Sequence, residues 1–191
     1  MNNTQVLLKR RPQGAPVADD FEAVTTTLIR PQEGEALIKN EYISMDAGFR
    51  NWMDEDAGDA VLPAMALGQP VMGLTVGVVA ESRHATLKEG DLVMGRLAWE
   101  QYSLAGDDFL VVLDHQDADT PKHFHLGILG DTGMSAYFGL TDIGQPKAGE
   151  TVVISAAGGA VGYVAGQIAK LMGAGRVVGL TSSNKKGERL K

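Results

Sequence analysis

The chain has 191 residues, with 17 Lys+Arg, 24 Asp+Glu, 4 His and no Cys, and a net charge of −7. That length allows one large domain or two small ones, and 44% hydrophobic against 21% charged residues excludes disorder. The missing cysteine excludes a disulfide framework, a thiolate nucleophile, an iron–sulfur cluster and every Cys-ligated zinc site, and the negative charge argues against nucleic acid and anionic membranes as partners. The start of the chain has no apolar h-region or cleavage site, so no signal peptide is read there and a cytoplasmic location is expected.

Residues 1–125 read as β-rich. Short apolar runs recur at Gln5–Lys9, Thr25–Ile29, Ala36–Ser44, Val76–Ser82, Asp91–Arg96, Trp99–Leu104 and Phe109–Leu113, punctuated by Pro12, Pro31–Gly34, Glu89–Asp91 and Gly106–Asp108. Several short strands with regular turns suggest a barrel or sandwich. Residues 51–63, with Asp54, Glu55, Asp56 and Asp59, read as a solvated loop, and they lack calcium-loop spacing. His115, His123 and His125 lie close in sequence, but His-x-His on a linker is more often solvated than ligating.

At residue 126 the charge changes sign. Residues 1–125 hold 10 basic and 20 acidic residues, whereas 126–191 hold 7 and 4, which suggests a second unit with a different partner. Leu126 to Gly144 carries apolar residues at near-helical intervals, with Thr132 as a cap and Tyr137 and Phe138 as core packing. A turn at Gln145–Glu150 leads to a buried-type strand, Thr151–Ser155. A helix follows at Ala160–Met172, with Val161, Val164, Ile168 and Leu171 apolar, and then a β-branched strand at Arg176–Leu180. Strand, glycine loop, helix and strand make one βαβ unit with a right-handed crossover expected. Thr151–Ala169 is uncharged and contains a GxxxG. Its polar residues, its glycines and its change from β-branched to helical pattern argue against a membrane span.

The loop Ser155–Gly162 is where a dinucleotide fingerprint would lie, with its three glycine positions at Ala157, Gly159 and Gly162. The first is Ala, so the match is to a variant. Gly159 has no Cβ to block a phosphate, and a helix that begins at once points free N–H groups at an anion. The competing reading is a tight turn with packing glycines. After the second strand, where NAD-binding units place a carboxylate, the chain has Thr181, Ser182, Ser183, Asn184, Lys185 and Lys186, with Arg189 beyond. Hydroxyls and lysines suit an added 2′-phosphate and so favour NADP; a solvated basic segment is the alternative.

Three blocks carry a family resemblance. They are Tyr42–Asp46 through Arg50; Val71–Gly73 to Val76–Ser82; and Ser135–Leu140 with Pro146–Val153, Ala156–Gly162 and Gly166–Lys170. Together these resemble the zinc-independent medium-chain dehydrogenase/reductases, in the branch of prostaglandin, leukotriene, curcumin and alkenal reductases. The resemblance implies a mixed α/β fold, in which a GroES-like β-barrel domain (1–125) precedes an incomplete Rossmann-type parallel βαβ unit (126–191). It implies NADPH-dependent reduction of the C=C bond of a small α,β-unsaturated ketone or aldehyde by hydride transfer, with no metal, and it leaves a homodimer open.

Carried over by the same resemblance, Ala157, Gly159, Ala160, Val161 and Gly162 would line the pyrophosphate. Lys186, with Ser182 and Ser183, would meet the 2′-phosphate. Ser135 would lie near the nicotinamide, and Asp46, Phe49 and Arg50 would fall in the cleft, where a structural Asp46–Arg50 pair is the competing role. The family's Asp-Pro-Tyr-Met-Arg is Asp46-Ala47-Gly48-Phe49-Arg50 here, which suggests a wider pocket at Gly48, and its Met-Pro pair is Asp131-Thr132. Family members are much longer, so the resemblance implies a chain truncated within the nucleotide-binding domain. The alternative function is a non-catalytic nucleotide-binding or interaction module. A zinc alcohol dehydrogenase is disfavoured by the missing thiolates.

Overall fold

The computed structural model describes residues 1–58, 62–106, 110–113 and 119–190. The chain divides into two units, Met1–Lys122 and His123–Lys191. Asp59, Asp107, Asp108, Phe109 and His115, singled out above, lie outside the described residues.

The first unit is built of two antiparallel sheets. Strand β1 (Asn2–Leu8) pairs with β2 (Phe21–Thr27). Strands β3 (Ala36–Ile43), β4 (Met72–Ser82), β5 (Leu92–Ala98), β6 (Tyr102–Ala105) and β7 (Leu110–Val112) form a second sheet in the order β6-β3-β4-β5-β7. Backbone bonds from Val6 N–H to Trp99 O and from Val71 N–H to Val6 O, at 2.8 and 2.9 Å, tie β1 to that sheet. Alternation along the strands sends Ala36, Ile38, Val79, Val93 and Ala105 into one core, which Leu87 joins from the β4–β5 connection. Irregular register between β3 and β4 bends the pair, and Gly77 permits it, because a Cβ there would lie 2.6 Å from Lys39 O.

Leu8, Met53, Met65 and Val71 form a second core, covered by Phe21, Phe49, Trp52 and Trp99. Asp54, Glu55 and Asp56 are exposed, as the solvated-loop reading of 51–63 expects, but that reading is corrected at its apolar residues. The 3₁₀ segment Ala47–Met53 delivers Met53 to that core, and Leu62 is buried as well. Arg11 Nη1 donates to both Met53 O and Met65 O at 2.7 Å, which gives the segment backbone partners that no local pattern announces.

A buried carboxylate supports the entry to β2. Asp20 is 2% exposed, accepts the Val17 N–H at 2.8 Å and pairs with Arg10 Nε at 2.7 Å. The Val17 hydrogen bond first, and then Arg10, hold its pKa below the ordinary value against the opposing effect of burial. A carboxylate depressed on folding stabilises the fold above its unfolded pKa of about 3.9, and loses that contribution as pH falls through the folded value. Asp20→Asn is therefore expected to lower the urea midpoint at neutral pH, with the gap to wild type closing as pH falls below about 4. A gap independent of pH would contradict this account.

In the second unit, α1 (Asp131–Phe138) runs into a wider π turn at Gly139–Gly144, closed by Gln145 N–H to Leu140 O at 2.7 Å with Gln145 left-handed at φ 43°. The cap is Gly130, not Thr132. Gly130 and Gly133 lie so close to the His125 and Ile128 carbonyls that a Cβ would overlap them, so the chain enters the helix on glycine. Strands β8 (Thr151–Ile154) and β9 (Arg176–Gly179) pair in parallel, Thr151 opposite Arg176, and α2 (Ala160–Leu171) connects them.

The core of this unit is made of Ala136, Leu140, Val164, Ala165 and Ala169, with Val152, Ile154 and Val177 packed against it. Three expectations are corrected here. Val153 is 61% exposed, so β8 is covered on one face only. Tyr137 and Phe138 are each 51% exposed, because the inward face of α1 is Gly133 and Ala136, continued by Leu140 in the π turn. Val161 and Leu171 face solvent, because α2 packs through the small residues Gly162, Ala165 and Ala169. Among the described residues no helix is long and apolar enough to cross a membrane.

Candidate dinucleotide-binding site

Strand β8 ends at Ile154, and the chain turns through Ala156, which takes a left-handed φ of 49°. Gly159 N–H closes the turn on Ala156 O at 2.8 Å. Helix α2 begins at the next residue, with Gly159 as its N-cap and no side chain capping it, so the first helical N–H groups remain available to an anion. Gly162 is where the helix meets this turn. A Cβ there would lie 2.5 Å from Ala156 O and 2.8 Å from Ala157 Cα.

Ala157 has a different place. It is buried, its N–H donates to Leu180 O at 3.0 Å, and its methyl group lies where Gly179 on β9 leaves room. It therefore packs loop on strand and does not present its N–H to a ligand. Ala160, Val161 and Gly162 border a second, apolar hollow with Val153 and Ser155.

One cleft joins the loop to the end of β9. Ala156, Gly158 and Gly159 line one side, and Leu180, Thr181, Ser182 and Lys186 line the other. No carboxylate lies among these residues. Lys186 is on the short helix α3 (Asn184–Glu188), capped by Ser183, whose Oγ accepts the Lys186 N–H at 3.4 Å. The aliphatic stem of Lys186 lies along Gly158, where a Cβ would be 3.1 Å from Lys186 Cβ and 3.4 Å from its Cδ. Of the residues expected to hold the cofactor, Gly159, Ser182 and Lys186 thus meet in one cleft, while Ser183 caps beneath it. Thr181, read above as one of the hydroxyls suited to a 2′-phosphate, lies there too, whereas Ala156 and Gly158 are not among the residues expected to hold the cofactor. The positive φ of Ala156 carries no sequence signal, whereas the hydroxyl of Thr181 at a strand end does.

The cleft candidates are divided between the units. Ser135 is exposed on α1. Asp46, Phe49 and Arg50 belong to the barrel unit, where Asp46 opens the 3₁₀ segment by accepting the Gly48 N–H at 2.8 Å. Phe49 packs on the Leu8–Met53 core and tilts against Trp52 at 5.4 Å. The Asp46–Arg50 pair weighed above is replaced by another. Arg50 bonds Asp54 Oδ1 at 2.8 Å, Gly14 O at 2.9 Å and Pro12 O at 3.0 Å, an i,i+4 geometry that favours Asp54.

The family profile described as the N-terminal domain of oxidoreductase matches residues 4–113. The NADPH-dependent curcumin reductase of Escherichia coli is 40% identical over 96% of this chain and 52% of its own length. The NADP(+)-dependent 2-alkenal reductase of Nicotiana tabacum is 39% identical, over 100% of this chain and 56% of its own. The crystal structure of CurA from Vibrio vulnificus in complex with NADPH superposes with a TM-score of 0.81 at 36% identity, covering 95% of this chain and 52% of that one. The chain thus spans about half the length of the curated relatives it matches. A profile that fits more than half of the sequence, relatives that align along nearly all of it, and a barrel unit followed by a βαβ unit agree: the chain belongs to the medium-chain dehydrogenase/reductases, in the branch of prostaglandin, curcumin and alkenal reductases.

Proposed function

We propose that this chain provides the barrel and the adenosine-binding part of an NADPH-dependent reductase of α,β-unsaturated carbonyl compounds. The observation that carries the reading is the cleft in which the glycine turn, the end of β9 and Lys186 come together without a carboxylate. A carboxylate there would hold a free ribose 2′-hydroxyl and repel a 2′-phosphate. The relatives' printed activities, reduction of curcumin and of 2-alkenals with NADPH, agree with it.

The residues fit the cofactor. Gly159 and the uncapped start of α2 receive the pyrophosphate, whose charge the helix N-terminus offsets. Gly162 keeps the turn seated on the helix. Ser182 and Lys186 receive the 2′-phosphate, Lys186 as a compact cation. By the family resemblance, Ser135 on the second unit would lie near the nicotinamide, and Asp46 and Phe49 on the first near the substrate. Arg50 acts on the backbone: by holding Pro12 and Gly14 it fixes the segment that carries Asp46 and Phe49. When bound, NADPH supplies the hydride for the β-carbon of the unsaturated carbonyl.

The test is a thermal melt of the 191-residue chain with NADPH and, in parallel, with NADH. A ligand that binds only the folded state raises the midpoint, by mass action. An upward shift with NADPH that exceeds the shift with NADH at equal concentration is expected. Equal shifts, or none on a chain that melts cooperatively, would overturn the reading.

A further inference from the structure

The three hydroxyls after β9 are not equivalent. Thr181 Oγ1 donates to Ser183 O at 2.9 Å, so its hydrogen is already committed. Ser183 Oγ accepts the Lys186 N–H at 3.4 Å and caps α3. Ser182, between them, is exposed, lines the cleft and makes no side-chain hydrogen bond among the described residues. Thr181 and Ser183 thus stiffen the turn from which Lys186 leaves, and the bare backbone of Gly158 gives the lysine stem a surface to lie on.

We propose that Thr181 and Ser183 are positioning residues that set the preference for a 2′-phosphorylated adenosine through Lys186, without contacting the phosphate themselves. The inference rests on the NADPH reading above and adds the residues on which its selectivity depends. A lysine carries its ammonium group on a flexible stem of four methylenes, and ordering them opposes binding. A turn fixed by two hydroxyl hydrogen bonds, with the stem already seated, removes part of that cost before the ligand arrives. The benefit goes only to a ligand that uses the ammonium group, so a ligand without the 2′-phosphate gains nothing.

The experiment is calorimetric titration of the 191-residue chain with adenosine 2′,5′-bisphosphate and with 5′-AMP, which differ only in the 2′-phosphate. Thr181→Val and Ser183→Ala are each expected to lower the bisphosphate preference about threefold to tenfold, the scale of a lost cap, while AMP affinity stays within about twofold. Thr181→Ser and Ser183→Thr keep the hydroxyls and should retain the preference. Lys186→Ala should abolish it, and Thr181→Val added to Lys186→Ala should then change nothing more. An unchanged preference in the single variants, an equal loss for both ligands, or a full additional loss in the double variant would each overturn the proposal. A wild-type chain with no preference would overturn the cofactor reading itself, before any variant is made.

Discussion

Replacing Gly162 with valine is expected to remove the thermal shift given by NADPH while leaving the barrel unit folded. A Cβ at this position would lie 2.5 Å from Ala156 O and 2.8 Å from Ala157 Cα, and both are backbone atoms of the turn proposed to receive the pyrophosphate. A flexible side chain could yield; this backbone cannot move without carrying Gly159 and the start of α2 with it. Overpacking of this kind costs about 1–3 kcal/mol, and a β-branched residue in the first turn of the helix adds to it. Both tryptophans, Trp52 and Trp99, lie in the first unit, so their fluorescence follows that unit alone, whereas far-UV circular dichroism follows both. The expected pattern is an unchanged tryptophan transition, an earlier loss of helical signal, and no response to NADPH. A variant that keeps the full NADPH shift would show that the contact between helix and turn is not what forms the site.

The βαβ unit was legible in the sequence nearly to the residue. Strands expected at Thr151–Ser155 and Arg176–Leu180 and a helix expected at Ala160–Met172 appear at Thr151–Ile154, Arg176–Gly179 and Ala160–Leu171. The reason is local, because the change from a β-branched run to a glycine cluster to a helical period is written in consecutive residues. The barrel was less sharp. Strand β4 starts at Met72, not at Val76, because Gly73, which weakens the strand signal, is there to admit Trp99, whose Nε1 would lie 2.9 Å from a Cβ. The run Trp99–Leu104 is broken, since β5 ends at Ala98 and β6 begins at Tyr102. Glu100 between them accepts from Asn3, Gln5 and Ser103, at 2.6 to 3.0 Å, two of these partners being almost a hundred residues away.

The site divides in the same way. Gly159, Ser182 and Lys186, which share one cleft, could be singled out because their chemistry is in the residue type. The roles of Ala157, Ser183 and Arg50 could not. Each depends on a carbonyl or a glycine that tertiary structure brings up: Leu180 O and Gly179 for Ala157, the start of α3 for Ser183, and Gly14 and Pro12 for Arg50. The exposed aromatics of α1 teach the converse. Tyr137 and Phe138 follow a helical period, but the period does not say which face is inward, and here the small residues take it.

Lys186→Glu carries the other large effect. In the proposed reading the wild-type cleft would meet the 2′-phosphate with one cation on a braced stem, and its lining holds no carboxylate. A charge-assisted hydrogen bond is worth about 1.5–3 kcal/mol, so loss of the ammonium group alone lowers affinity about tenfold to a hundredfold. A carboxylate in its place adds repulsion, so a loss of at least about a hundredfold for NADPH is expected, with NADH affinity within about threefold of wild type. The glutamate also offers an acceptor where a free 2′-hydroxyl would lie, so the preference between the two cofactors should invert. Two dependences separate this from general damage. The wild-type preference for NADPH should shrink as salt rises, since an exposed pair is screened. It should also shrink as pH falls through about 6, where the 2′-phosphate dianion takes up a proton and loses half its charge. The variant should show neither trend with the wild-type sign. If NADPH and NADH weaken together on Lys186→Glu, the lysine supports the turn and does not read the phosphate, and the selectivity must come from Ser182 or from Lys185 and Arg189 beyond it.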